Sequence, residues 1–164
     1  MAYTRNSDLT FYESNLQETN CGSYALRLNE WYDLDDPFED LYGEITGWIH
    51  DMAMDYTDEE ISEIYGEALV DIILKDFEGE IVVCDGRPPK TKDVELIAFS
   101  VFCYYNEDYN YSDWDYHFKV FRGGVWKEKC GTDIVRECDK NDWLDRYVSD
   151  VVYFYHKIGG SNDR

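Results

Sequence analysis

The residues of this 164-residue chain best suited to chemistry are Cys21 and His117. Cys21 follows Thr19-Asn20, either of which can cap a helix, and it opens a helical pattern. A thiol at a helix start meets the positive end of the macrodipole, which favours the thiolate. His117 lies in Tyr116–Arg122, which reads as a strand, and Gly123-Gly124 then signals a hairpin into a second strand over Val125–Gly131. If the turn has two residues, Arg122 pairs with Val125. Continuing that register puts Lys119 opposite Glu128 and His117 opposite Cys130, on one face with Phe121 and Trp126. Opposed Cβ atoms lie ~5 Å apart and diagonal ones ~7–8 Å, so His117 has a thiol and a carboxylate within reach.

Two chemistries use such a set. A cysteine at a helix start, a histidine on a later strand and a polar residue on the next strand to orient it make a nucleophilic triad, here Cys21, His117 and Glu128. Alternatively, Cys21, His117 and Cys130, with Cys138, Glu128 or Asp115 as a fourth group, form a soft nitrogen and sulfur donor set suited to zinc. A plain reading stands beside both, because a buried free cysteine usually serves as a small apolar residue. His50 and His156 read as ordinary surface or core histidines. No glycine-rich nucleotide loop, HExxH or GxSxG motif occurs.

The elements that must position these groups are legible as patterns. A helix is predicted over 20–34, with Cys21, Tyr24, Ala25, Leu28 and Tyr32 on one face. Asp36-Pro37-Phe38-Glu39 opens a second helix with a capping box and the stripe Leu41, Ile45, Trp48, Ile49 and Met52. Thr57-Asp58-Glu59-Glu60 opens a third, whose period runs from Ile61 to Ile73. After Gly79 come a short strand over 80–85, a long apolar central strand over 94–105, an acid-aromatic loop over 106–115 and the hairpin. A short helix near 142–147 and a closing strand over 151–158 follow. Helices first and antiparallel strands later predict an α+β fold: one domain over 1–164, with a helical part over 28–76 and a sheet part over 80–158.

Charge is the dominant compositional feature, with 36 acids against 15 bases and a net charge of −21. Residues 28–74 hold 15 of those acids and no Lys or Arg. Such a chain is a poor ligand for nucleic acid or an anionic membrane, since each phosphate contact needs a cation. Glu44, Asp51 and Asp55 of the second helix and Glu59, Glu63, Glu67 and Asp71 of the third point outward by helical count, as a face for a basic partner. The amino-terminal residues lack the apolar stretch of a signal peptide, no run is long enough to span a bilayer, and five cysteines without a CxxC pair argue for reduced thiols. A cytoplasmic protein is expected.

Asn20-Cys21-Gly22-Ser23-Tyr24-Ala25-Leu26 resembles the start of small papain-like bacterial and phage proteins. Asp115-Tyr116-His117-Phe118 resembles their Asp-Tyr-His-Phe strand, Trp126 to Gly131 the segment after it, and Val152-Tyr153-Phe154-Tyr155 their closing strand. Where that family carries a second histidine this chain has Glu128, and where it carries proline, Cys130. The resemblance implies a papain-like arrangement and a cysteine hydrolase using Cys21, His117 and Glu128. In size and charge pattern, though in no motif, the chain also resembles acidic anti-CRISPR and other anti-defence inhibitors. That likeness implies a non-enzymatic protein, zinc-stabilised, that occupies the basic nucleic-acid-binding surface of a host defence nuclease in the host cytosol. Charge segregation makes the inhibitor the leading expectation and the hydrolase its alternative.

Overall fold

The computed structural model describes residues 3–144, 147 and 149–158. Its first half is helical: α1 (Phe11–Ser14), α2 (Cys21–Leu26), α3 (Asp35–Tyr42), α4 (Ile45–Met52) and α5 (Asp58–Asp76). Its second half is a sheet of β1 (Ile81–Cys84), β2 (Val94–Asn106), β3 (Tyr111–Arg122), β4 (Val125–Lys129), β5 (Val135–Glu137) and β6 (Val152–Lys157). The strand order is β1-β6-β2-β3-β4-β5 with every neighbour antiparallel. The fold is α+β. One cluster of buried residues joins the helices to the sheet, from Tyr12 and Leu26 through Phe38, Tyr65 and Leu69 to Phe99, Phe118 and Phe154. Among the described residues no helix is long and apolar enough to cross a membrane.

The capping box at Thr57 and Glu60 forms as the sequence predicts, and Ile61, Tyr65, Leu69 and Ile73 of α5 are buried. Ser62, also buried, ties α5 to β2 by accepting the Cys103 N–H at 2.8 Å. The apolar run over 94–105 is the central strand, with β6 on one side and β3 on the other. It is almost wholly buried because both of its faces are covered.

The predicted helix over 20–34 is short. It ends at Leu26, and Arg27 takes a left-handed conformation with φ 59°. Tertiary contacts stop it, since the Arg27 guanidinium meets the Glu95 carboxylate through Nε at 3.1 Å and Nη2 at 2.9 Å. Leu28 and Tyr32 are still fully buried, but from an extended segment. The second predicted helix is two. Gly43 turns the chain at φ 86°, and the Glu39 carboxylate accepts the Ile45 N–H to open α4 instead of completing a box with Asp36. Asp33 caps α3 through Oδ1, which accepts from the Asp35 and Asp36 N–H groups. Most of the predicted loop over 106–115 is strand, since the β2–β3 ladder runs out to Asn106 and Tyr111. Of the predicted helix near 142–147, residues 142–144 and 147 are irregular and 145 and 146 lie outside the described residues.

Two buried cations hold α2 against the sheet. Lys129 of β4 donates to the carbonyls of Leu16, Thr19 and Gly131 at 2.8, 2.7 and 2.6 Å, fixing the approach to Cys21. Arg122 of β3 donates to the carbonyls of Tyr24 and Ala25 at the other end of the helix and to both oxygens of Glu95. Burial opposes ionisation of Glu95, yet Arg122 and Arg27 outweigh it and hold its carboxyl down at about 2. Between these clamps the helix lies so close to β3 that a Cβ on Gly22 would sit 2.9 Å from the Tyr32 ring and 3.2 Å from the Phe118 ring. Both rings are fully buried and have little room to yield. Gly22→Ala should therefore cost roughly 1–3 kcal/mol of stability, the usual range for overpacking. The measurement is urea unfolding beside Gly47→Ala, whose Cβ meets nothing within 4 Å. Equal midpoints for the two variants would refute the close-packing argument.

Candidate active site

The Gly123-Gly124 turn, with φ of 63° and 81°, sets the expected register: Arg122 pairs with Val125, Phe121 with Trp126 and Val120 with Lys127. The registered pairs end there, and β4 continues against β5. Cys21, His117, Glu128 and Cys130 line one cleft of about 400 Å³ where α2 meets these strands. His117 Nε2 lies 2.7 Å from Glu128 Oε1. Cys21 lines the same cleft near enough to the ring to help raise its pKa. The thiol also lies 3.8 Å from the Tyr116 carbonyl, to which it can donate. Trp143 and Tyr147 stand beside the ring at centroid distances of 5.9 and 6.2 Å.

The electrostatics follow from this packing. Burial by itself would lower the pKa of His117, but hydrogen bonding and charge from Cys21 and Glu128 outweigh it and raise the value to about 9. Glu128 is likewise desolvated, yet its pKa is lowered by His117 and by Arg136, whose Nε donates to Oε2 at 2.9 Å. Lys119 and Glu128, expected to face each other, are not among the registered β3–β4 pairs, and Lys119 is engaged elsewhere. Its Nζ donates to the carbonyls of Asp139 and Asp142, each at 2.7 Å, and sits over the Trp143 ring. Glu128 is thereby left to His117 and Arg136.

The zinc expectation meets a specific obstacle. His117, Glu128 and Cys130 do bring donor atoms within 4.8 Å of one another. Cys21 and Cys138 are not part of that set of mutually close donors. Arg136 lies across the set, with Nη2 3.4 Å from Cys130 Sγ as well as its contact to Glu128. Burial, and then the Glu128 charge, raise the pKa of both Cys130 and Cys138, the latter to about 11. A dication at these three donors would take the place of the Arg136 guanidinium and displace the thiol proton of Cys130.

Of the acids expected on a partner face, Glu44, Asp51, Asp55, Glu59, Glu67 and Asp71 are exposed. Glu63 is half-buried and accepts the Asp150 N–H at 2.6 Å. Glu63, Glu67 and Asp71 line a groove between α5 and the sheet residues Val83 and Val152. The sequence reading missed Arg136 and the structural use of Lys129. A three-residue strand such as β5 is too short to show a period, and nothing local tells a buried lysine from an exposed one. No known protein family, curated protein or solved structure matches the chain.

His117 carries a proton through neutral pH, and its linkage has a definite sign. Its folded pKa lies above the ordinary value of 6.5, so its stabilising contribution is complete below about 6.5 and is lost as pH rises through about 9. A histidine-resolved NMR titration should show a His117 midpoint near 9. Glu128→Gln should bring that midpoint down, because the carboxylate hydrogen-bonded to the ring is gone. A midpoint that stays put in the variant would remove Glu128 from the role of holding the ring charged.

Proposed function

We propose that the chain is a cysteine hydrolase of papain-like design, in which Cys21 is the nucleophile, His117 the general base and acid, and Glu128 the positioning residue. The observation that carries this reading is the His117 ring held at Nε2 by Glu128 in a cleft that Cys21 also lines, with Cys21 close enough to act on the charge of the ring. Orientation of the base by a third group distinguishes a working nucleophile from a thiol that merely packs. Lys129 adds a fixed positive charge near Cys21. Cys21 occupies the first helical position, so its own N–H has no acceptor within the helix and is placed to stabilise an oxyanion. In this mechanism the Cys21 thiolate attacks a carbonyl carbon and the imidazolium of His117 protonates the leaving group. Neutral His117 then takes a proton from water as that water attacks the thioester, which releases the acid and restores the thiol.

Iodoacetamide labelling near pH 7, read by mass spectrometry, tests the nucleophile without knowledge of the substrate. Cys21 should label first among the five cysteines. His117→Ala should slow it by about 10²-fold, the low end of what a positioned base contributes. A chelator should change neither labelling nor melting temperature. If Cys21 labelled only after denaturation, or if chelation lowered the melting temperature, the hydrolase reading would fail, and in the second case a metal role would replace it.

A second reading draws on the exposed surface of α3 and α4. Leu41 is 67% exposed and Met54 76%, and Asp40, Glu44, Asp51 and Asp55 surround them in the sequence. Apolar residues set among acids suit a basic partner, as an inhibitor of a nucleic-acid-binding protein would require. Reversing Glu44, Asp51 and Asp55 to Lys should then slow association with such a partner and weaken its dependence on salt. Unchanged association kinetics would leave this acidic surface without that role.

A further inference from the structure

Strand β1 is an open edge of the sheet. Among the described strands only β6 pairs with it, and Val82 and Val83 are 57% and 53% exposed. Edge strands are commonly protected by lysine, proline or a bulge. β1 reads Ile-Val-Val-Cys in unbroken register, with none of these. The Lys157 N–H donates to the Glu80 carbonyl at 2.9 Å, in step with the β1–β6 pairing. Bonded pairs alternate along an antiparallel ladder, so Val82 and Cys84 turn their main-chain groups toward β6, and Ile81 and Val83 turn theirs outward. The Phe77 carbonyl takes the Ile81 N–H. No loop, helix or side chain among the described residues bonds the N–H or carbonyl of Val83.

A groove of about 460 Å³ runs beside this edge, between α5 and the sheet. Val70, Val83, Phe99 and Val152 make its lining largely apolar. Its charged residues are all acids. Glu67, Asp71 and Asp150 are exposed, Glu63 accepts the Asp150 N–H, and no Lys or Arg lines it. Val83 belongs to both features, since its side chain lines the groove and its main chain forms the open edge.

We propose that β1 and this groove form a docking site for a basic extended segment of a partner protein, which adds to the sheet as a strand beyond β1, seats an apolar side chain in the groove and sets Lys or Arg against Glu67, Asp71 and Asp150. A residue opposite Val83 exchanges both main-chain hydrogen bonds with it and sends its side chain to the same face, over the groove. Residues two positions to either side share that face about 7 Å away, where long basic side chains reach the acidic rim. The charge of the rim selects this occupant over a second copy of the chain, because joining two molecules of net charge −21 sets like charges together. The site shares no residue with the lining of the Cys21 cleft and holds whether or not the chain is a hydrolase.

Amide NMR of the full chain tests the site with a capped peptide, Lys-Thr-Val-Thr-Lys, as the probe. Its shifts should saturate and be largest at Val83 and its neighbours, and exchange of the Val83 N–H with solvent should slow. N-methylation of the peptide's central valine removes the donor to the Val83 carbonyl and should weaken binding by roughly 3- to 10-fold, the worth of one hydrogen bond. Glutamate in place of both lysines should abolish binding. Glu67→Gln combined with Asp71→Asn, both at exposed positions, should weaken binding several-fold with the melting temperature unchanged. Absence of a saturable shift at millimolar peptide would overturn the proposal. So would equal binding of the N-methylated peptide, or shifts spread over the acids of α4 and α5 with Val83 unmoved, since either reports charge attraction alone. Shifts at Val83 that grow with protein concentration in the absence of peptide would overturn it in favour of a second copy.

Discussion

Everything at the candidate site depends on the fixing of one short helix by buried cations. Six residues are too few for a helix to persist unaided. α2 survives because Lys129 binds the carbonyls that lead into it and Arg122 binds the carbonyls at its end. Burying a charge is costly unless its donors are satisfied. Here the satisfying groups are the main-chain carbonyls that have to be held, so the same contacts that pay for the desolvation also locate Cys21. Gly22 completes the arrangement by letting the helix backbone approach Phe118.

The hairpin supplies the other half of the site. Two glycines in left-handed conformations set the register, and the short ladder between β3 and β4 leaves room beyond Val120 for the cleft in which His117 meets Glu128. β5 then brings Arg136 onto the far oxygen of Glu128. One carboxylate thus balances two cations. Arg136 keeps Glu128 ionised, and Glu128 keeps His117 charged and oriented. The same guanidinium lies against Glu128 and Cys130, two of the three donors that the fold brings within 4.8 Å of one another with His117.

Acidic residues play four distinct parts despite their uniform appearance in composition. Glu95 is a buried counter-ion of Arg122 and Arg27, and Glu39 and Asp33 are helix caps. Asp35 lines the cleft, with its Oδ1 unpaired among the described residues. The remaining acids of α4 and α5 are largely exposed and give the molecule its field.

Whatever depends on neighbours in sequence was legible from sequence. The α5 period and its capping box, the apolar run of β2, the Gly123-Gly124 turn with its register, and the segregation of charge are all local, and each is found where the pattern placed it. His117, Glu128 and Cys130 could be grouped because a two-residue turn propagates its register along both strands. The end of α2, the division of α3 from α4, the strand that carries Arg136 and the unpaired state of Asp35 were not legible. The end of α2 is decided by a contact between residues distant in the chain, Arg27 with Glu95, and the placing of Arg136 by the packing of β5 on β4, while α3 and α4 are divided by Gly43 and by the Glu39 carboxylate at the Ile45 N–H. The sequence by itself determined which residues could do chemistry and the register of the hairpin next to its turn. Only the tertiary structure decided that Cys21 lines the same cleft as His117 and Glu128 and that Arg136 reaches Glu128 and Cys130, because burial and packing of separate elements are properties of the folded chain and not of any segment.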